Sequence, residues 1–405
     1  MHEIFHQSID STSLTFTGGQ LKIRETDSSS GYGIRVLHKD KIGFSYCQHK
    51  DEINSAIEQA KKLSHFSIES SFSFAPNAHF KKLEISNPIF SPENYKKIYE
   101  IVEEAREAAE SHGGKSKIIA ELVSSRTELE NTEGFSGAYD KTDFSFYVEC
   151  MDADGFGISY YVSNLKFPDA RAVGMRAAEM AKNMQGAKKP SSGNYTVVME
   201  IEALSSLIDI FLPSFSGDWK HRNITKLTQN EKMFDNQLTI CDDPFSKGSE
   251  GRPFDDEGVI SHKKYLVKNG QIKSFFYDRE TAALEGVDEN GACSRASYAS
   301  PPTIGGTNIT ISPGDWKNLD DLGKYLEIHH AHGSHTANPT TGDFGLEVSS
   351  AFMIDKGKKT PLKGFMLTGN IFDLFANIEA IESTTKILDY LEAPRIAFRN
   401  IHIVS

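Results

Sequence analysis

Four of the chain's 14 histidines fall within seven residues, at His329, His330, His332 and His335. Neutral imidazole is the commonest metal ligand and a standard zinc donor. If the segment runs as a strand, His330 and His332 lie on one face and can grip one ion together. No carboxylate or cysteine inside the segment completes a tetrahedral set, and Asp343 or Glu347 can do so only through the fold. The alternative is a polar strand and loop that lines an interface or a shallow cleft. A second string, His2-Glu3-Ile4-Phe5-His6, spells H-E-x-x-H. On a helix it would pair two imidazoles on zinc with the glutamate as general base. The run into Gln7-Ser8-Ile9 alternates like a strand, where residues four apart lie about 13 Å from each other, so we read it as coincidence. Packed carboxylates recur in Asp242-Asp243-Pro244 and in Phe254-Asp255-Asp256-Glu257-Gly258. They lack the alternate spacing of a calcium-binding loop, and Gly-flanked aspartates serve more commonly as turn caps. Gly114-Lys115-Ser116 resembles the end of a phosphate-binding loop, but it ends a helix rather than opening one. No G-x-G-x-x-G or G-x-S-x-G string is present.

The elements that must position these residues divide at the linker-like segment 186–193, giving an N-terminal domain over 1–190 and a C-terminal domain over 191–405. Period-two alternation predicts strands around residues 14–23, 31–37 and 42–46, followed by a helix over 52–63. Residues 64–90 read as a connecting excursion. Helices are expected at 93–110, stopped by Gly113-Gly114, and at 169–184, with alternating strands between them. Beyond the linker, 195–200 reads as a strand and 201–212 as a helix. The remainder is punctuated by Gly, Pro and Thr and is expected to be mostly β, with a last helix over 371–381. The fold class is therefore α+β.

Composition narrows the function. The 405 residues carry a net charge of −12, which argues against a general binder of nucleic-acid backbone or a polybasic membrane-surface protein. An apolar fraction of 38 %, with 26 Phe and 14 Tyr, supplies a sizeable core. No apolar run approaches the ~20 residues of a spanning helix, and the first residues have no secretory-signal pattern. The four scattered cysteines read as reduced, buried thiols. A cytoplasmic protein is expected.

Several strings taken in order resemble the TldD/PmbA family, known as modulators of DNA gyrase and as a metalloprotease complex. They begin with Gly31-Tyr32-Gly33-Ile34-Arg35-Val36 and are strongest in Phe254-Asp255-Asp256-Glu257-Gly258-Val259 and Leu266-Val267-Lys268-Asn269-Gly270. They continue through Thr341-Gly342-Asp343-Phe344 to Leu367-Thr368-Gly369-Asn370. In that family the TldD-type subunit carries an H-E-x-x-x-H zinc motif upstream of the Asp-Asp-Glu-Gly string and a cysteine near the C-terminus. The corresponding stretch here, 208–218, has no histidine and contains Pro213, and residues 393–405 contain no cysteine. The resemblance therefore implies a PmbA (TldE)-type subunit without catalytic metal or cofactor of its own. It also implies a barrel-like β C-terminal domain and a zinc-bearing TldD-type partner with which the chain encloses a chamber for unfolded peptides. On this reading His330, His332, His335 and Asn338 line the peptide-facing surface, and Asp255, Asp256 and Glu257 give structural or interface support. Two other readings stay open: a self-sufficient metallohydrolase using the His329–His335 cluster, with His329, His330, His332 and His335, and a noncatalytic peptide-binding homodimer.

Overall fold

The computed structural model describes residues 1–67, 69–70 and 72–405, with Asp320 by its backbone alone. The N-terminal lobe is one antiparallel sheet of six strands. These are β1 (His2–Thr17), β2 (Gln20–His38), β3 (Lys41–Cys47), β4 (Lys115–Asn131), β5 (Ser136–Asp152) and β6 (Gly155–Ser163). Their spatial order is β3-β2-β1-β4-β5-β6, so β1 lies between two long partners and β6 is an edge. Three helices cover the sheet: α1 (Ile53–Ser64), α2 (Tyr95–Ala109) and α3 (Ala170–Asn183). The expected strands and helices of this lobe are present. The connecting stretch 64–90 is loop with one short 3-10 turn where it is described, and residues 68 and 71 lie outside the described residues.

Burial on β1 changes face along its length. Thr12, Leu14 and Phe16 are buried towards its end, and Leu14 and Phe16 pack with Ile98, Ile101 and Val102 of α2. At its start Glu3 and Phe5 are buried instead, because there the opposite face of the sheet meets the C-terminal lobe. Phe5 packs with Phe254 and Tyr298 of that lobe. Successive strand residues point to opposite faces, so a single strand contributes to two cores.

The C-terminal lobe is built on a closed five-stranded barrel. Its strands are β7 (Gly193–Met199), Lys324–His332, Asp343–Asp355, Phe365–Asn370 and Leu391–Val404. The ring closes because β7 pairs parallel with Lys324–His332 and antiparallel with Leu391–Val404. Helix α4 (Ile201–Phe211) leaves β7 directly and packs Leu204, Leu207, Ile208 and Phe211 among barrel residues such as Leu326, Val348 and Phe398. The α+β class with a barrel-like second part is thus the observed architecture.

One expected element differs. The run 371–381 is a helix only over Ile371–Ala376; the chain breaks at Asn377 and continues as the strand Ile378–Leu388. Ile378 and Ile381 pair in register with Phe398 and Ile396. A short apolar run has no intrinsic period strong enough to resist such a tertiary partner. Among the described residues no helix is long and apolar enough to cross a membrane.

Candidate functional site

Helix α4 places the first part of the site. Its apolar residues at 201, 204, 207, 208 and 211 repeat at helical spacing and face the barrel. The same period leaves Glu202, Ser205, Ser206 and Asp209 in a polar stripe on the other side, and this stripe lines a cleft of about 300 Å³. The helix ends at Phe211 and passes into a 3-10 turn, Leu212–Phe215, containing Pro213. Proline has no amide hydrogen and clashes with the preceding turn, so the helix cannot run on.

The strand Lys324–His332 supplies the floor. Its register with Asp343–Asp355 is irregular between Ile328, His330 and Ala331. Leu326 and Ile328 belong to the barrel core, and beyond the irregularity it is Ala331 that joins that core. A bulge of this kind shifts the alternation by one residue, which turns His330 and His332 outward into the cleft. The third wall is Tyr160 and Val162 of edge strand β6, and the fourth is the turn Leu388-Asp389-Tyr390.

The cleft is acidic and free of lysine and arginine. Burial raises the Glu202 carboxyl above its usual range and does the same to Asp209 and Asp389. Tyr390 donates its hydroxyl hydrogen to Asp209, and Ser249 donates to Asp389. His330 is 6 % exposed, and burial, with His329 and His332 nearby, lowers its pKa to about 4. The imidazole is therefore neutral at pH 7 and has a lone pair to offer. Tyr160 lies 6.2 Å from His330, ring centre to ring centre, and 4.8 Å from Tyr147. His332 is exposed, with Nε2 3.1 Å from Ser349 Oγ.

Behind His330 lies a second charged group. Glu200, Glu327 and His329 bring one donor atom each to within 4.8 Å of one another, and among the described residues they alone form such a group. Cations already occupy its surroundings. Lys386 Nζ is 2.6 Å from Glu200, Lys359 is 3.2 Å from Glu327, and Arg395 approaches both glutamates and pairs with Glu382. Burial would raise Glu327, yet the His329 hydrogen bond and charge, with Lys359, bring its pKa down to about 2. A divalent ion here would meet three positive side chains at close range, so this group does not fit zinc. The cleft does not fit it either. Helix α4 carries neither His nor Cys, and among the described residues no third donor completes a compact set with His330 and His332.

The other residues singled out from sequence lie elsewhere. His335 is exposed in the turn Ser334–Thr336. Asn338 shapes the following loop: its Oδ1 accepts from the amides of Thr340 and Thr341 at 3.0 and 3.2 Å. His2 and His6 sit on β1, where His6 stacks on Tyr32 with centroids 4.6 Å apart and Nδ1 is 3.3 Å from Glu128. Asp255, Asp256 and Glu257 are buried where the two lobes meet. Glu257 Oε1 accepts from Arg35 of β2 and Oε2 from the amide of Arg279, while Asp256 accepts from the amide of Arg295. Glu3 of β1 accepts two bonds from Arg35 and one from Arg295. Sequence reasoning passed over Tyr160, Glu202, Asp209, Asp389, Tyr390 and the whole arginine set. The spacing E-x-x-S-S-x-x-D on α4 was the one local signal available.

Comparison with known proteins places this architecture. Family profiles described as PmbA/TldA metallopeptidase domain 1, central domain and C-terminal domain match residues 2–64, 88–185 and 192–405. The chain belongs to the TldD/PmbA family. An uncharacterised protein from Methanocaldococcus jannaschii is 30 % identical, over 96 % of this chain and 92 % of its own length. A protein named metalloprotease from Methanothermobacter thermautotrophicus is 25 % identical, over 93 % and 86 %. Solved structures share the fold. A putative modulator of a DNA gyrase from Thermotoga maritima superposes with a TM-score of 0.92 at 22 % identity, over 100 % of this chain and 96 % of the other. TldE from Thermococcus kodakarensis does so with 0.89 at 20 %, also over 100 % and 96 %. The family is thus of metalloprotease type.

Proposed function

We propose that this chain is the TldE-type, noncatalytic subunit of a cytoplasmic TldD/TldE-type zinc metalloprotease complex that acts on unfolded peptides. The observation that carries the reading is the character of α4. In a metallopeptidase family, its cleft-facing stripe is Glu202, Ser205, Ser206 and Asp209, and it ends before Pro213. Zinc chemistry needs a compact set of nitrogen, sulfur or oxygen donors with one open position. A stripe of spaced carboxylates and hydroxyls, part of it engaged by Tyr390, supports binding rather than hydrolysis.

In this role the partner supplies the metal and this chain shapes the chamber wall. Edge strand β6 borders the cleft and offers backbone groups to which an extended peptide adds as a further strand. Such pairing holds many sequences with weak selectivity.

The test is co-assembly. The purified chain is mixed with a TldD-type subunit, and complex formation, zinc content and cleavage of an unstructured peptide are measured for each protein alone and for the mixture. The expected result is a complex whose zinc resides on the partner and whose activity exceeds that of either protein. Zinc retained by this chain alone, lost in a His330→Ala/His332→Ala variant together with peptidase activity, would identify a self-sufficient hydrolase. Absence of any complex would overturn the partner reading.

A further inference from the structure

We propose that the cleft between β6, α4 and the Leu388-Asp389-Tyr390 turn is a recognition pocket for a primary ammonium group of the bound peptide. The inference deepens the peptide-binding reading and rests on it.

Four observations converge. The cleft brings together Glu202, Asp209 and Asp389 with no lysine or arginine among its lining residues. Among the described residues no cation forms an ion pair with any of the three. Second, His330 is 6 % exposed and lines the cleft; one ring nitrogen is engaged by the Ile158 backbone, which leaves the other to accept. A neutral imidazole nitrogen accepts a hydrogen bond from an ammonium and cannot repel it. Third, the rings of Tyr160 and Tyr390 flank the same space, and aromatic faces attract alkylammonium groups. Fourth, the acidic donors do not converge. No three of them reach within 4.8 Å of one another, which suits an extended organic cation and not a bare metal ion. A volume of about 300 Å³ is enough for a lysine side chain or for the first residue of a peptide with its free amino group.

Physical cost points the same way. Burial raises all three carboxyls, which means that each is short of compensating positive charge in the unliganded chain. A ligand ammonium supplies that charge. Its N–H donors can meet one or two of the acceptors on α4, the Asp389 turn and His330 at a time.

Two sources share this chemistry, the peptide α-amino group and a lysine side chain. The purified full-length chain is titrated with a fluorescent, unstructured peptide that has a free amino terminus and one internal lysine. Three derivatives accompany it: N-acetylated, lysine replaced by norleucine, and both. Hydrogen bonds to a charged group carry enough energy that loss of the recognised ammonium should weaken binding about tenfold or more. The single change that does so names the source. E202Q and D209N should remove the discrimination, so that each variant binds all four peptides alike. If all four peptides bind alike, the ammonium pocket is wrong and the peptide-binding reading stands. If none binds, the peptide-binding reading fails, and titration with n-butylamine followed by NMR decides the pocket by itself. Shifts confined to His330 and its neighbours support it, and their absence overturns it.

Discussion

Arg35 and Glu257 stand 222 residues apart in the chain and meet at 2.5 Å across the junction of the two lobes. The guanidinium is shared, since its Nε and Nη2 donate to Glu3 at 2.8 Å each. Both ends of this arrangement are buried. The lobes are therefore joined by a charged network as well as by the Phe5, Phe254 and Tyr298 contact.

Removing one member of a buried pair leaves the other's charge uncompensated, at a cost of about 3–5 kcal/mol. Arg35→Met and Glu257→Gln should each lose stability of that order in chemical denaturation. The double variant should lose less than the sum, by about 0.5–3 kcal/mol. Additive losses would show that the two residues do not act on each other.

Asp255 contributes a pH dependence of opposite origin. Its Oδ1 accepts from the amides of Glu257 and Val259 at 3.0 and 2.9 Å, while Oδ2 is buried with no hydrogen-bond partner. Burial, followed by the neighbouring Glu257 charge, raises its pKa. The folded protein then keeps a proton that the unfolded chain releases above the ordinary aspartate pKa of about 4. Stability must fall as pH rises from there towards neutrality. Asp255→Asn retains the Oδ1 acceptor and abolishes the titration. Its stability should decline less with pH than that of the parent; parallel curves would contradict the assignment.

His330 gives the reverse sign. Its pKa lies at about 4 in the folded chain against an ordinary 6.5, so between those values the unfolded chain holds a proton that the folded chain does not. That contribution to stability is complete above pH 6.5 and is lost as pH falls towards 4. A histidine-detected NMR titration should show one imidazole with a midpoint near 4, absent from His330→Gln. A midpoint at or above 6 for that resonance would mean that the imidazole is not buried as described.

The wall of the cleft depends on a close approach of β6 to α3. A Cβ at Gly157 would lie 2.1 Å from the Ala177 carbonyl oxygen and 2.5 Å from the Ala181 amide nitrogen. Both are backbone atoms, so α3 must move as a body. Gly157→Ala should cost about 1–3 kcal/mol, as overpacking does. At Gly345 the nearest atom is the end of the Met366 side chain at 3.4 Å, and Gly345→Ala should stay within about 0.5 kcal/mol of the parent. Equal effects on unfolding free energy would refute the contact.

Local pattern made most of the fold legible. Alternation over Leu14-Thr15-Phe16 and over 31–37, and helical spacing in α2 and α3, are signals that a single segment carries by itself. The H-E-x-x-H string was legible for the same reason, since the alternation that continues past His6 belongs to the sixteen-residue strand β1. The strand Ile378–Leu388 was not legible, because its period is imposed by the neighbouring Leu391–Val404 strand. The site was half legible. The histidine cluster announced His330 and His332, but the bulge that turns them outward leaves no trace in composition. Asp209 and Glu202 looked like the solvent face of an amphipathic helix until the Asp389 turn was brought over them. Glu3, Arg35 and Arg295 are distant in sequence, and nothing local pairs them.

The closure of the barrel also has a consequence for how the protein is made. Strand β7 opens the ring at Gly193 and waits for Leu391–Val404 to complete it. Until the ribosome has released that strand, β7 and Phe365–Asn370 each lack a partner and α4 has an open apolar face. Long-range pairing of this kind folds slowly and exposes aggregation-prone surface meanwhile. The second lobe can therefore close only once Leu391–Val404 has been made, and its yield in cells should depend on chaperones that shield the earlier strands.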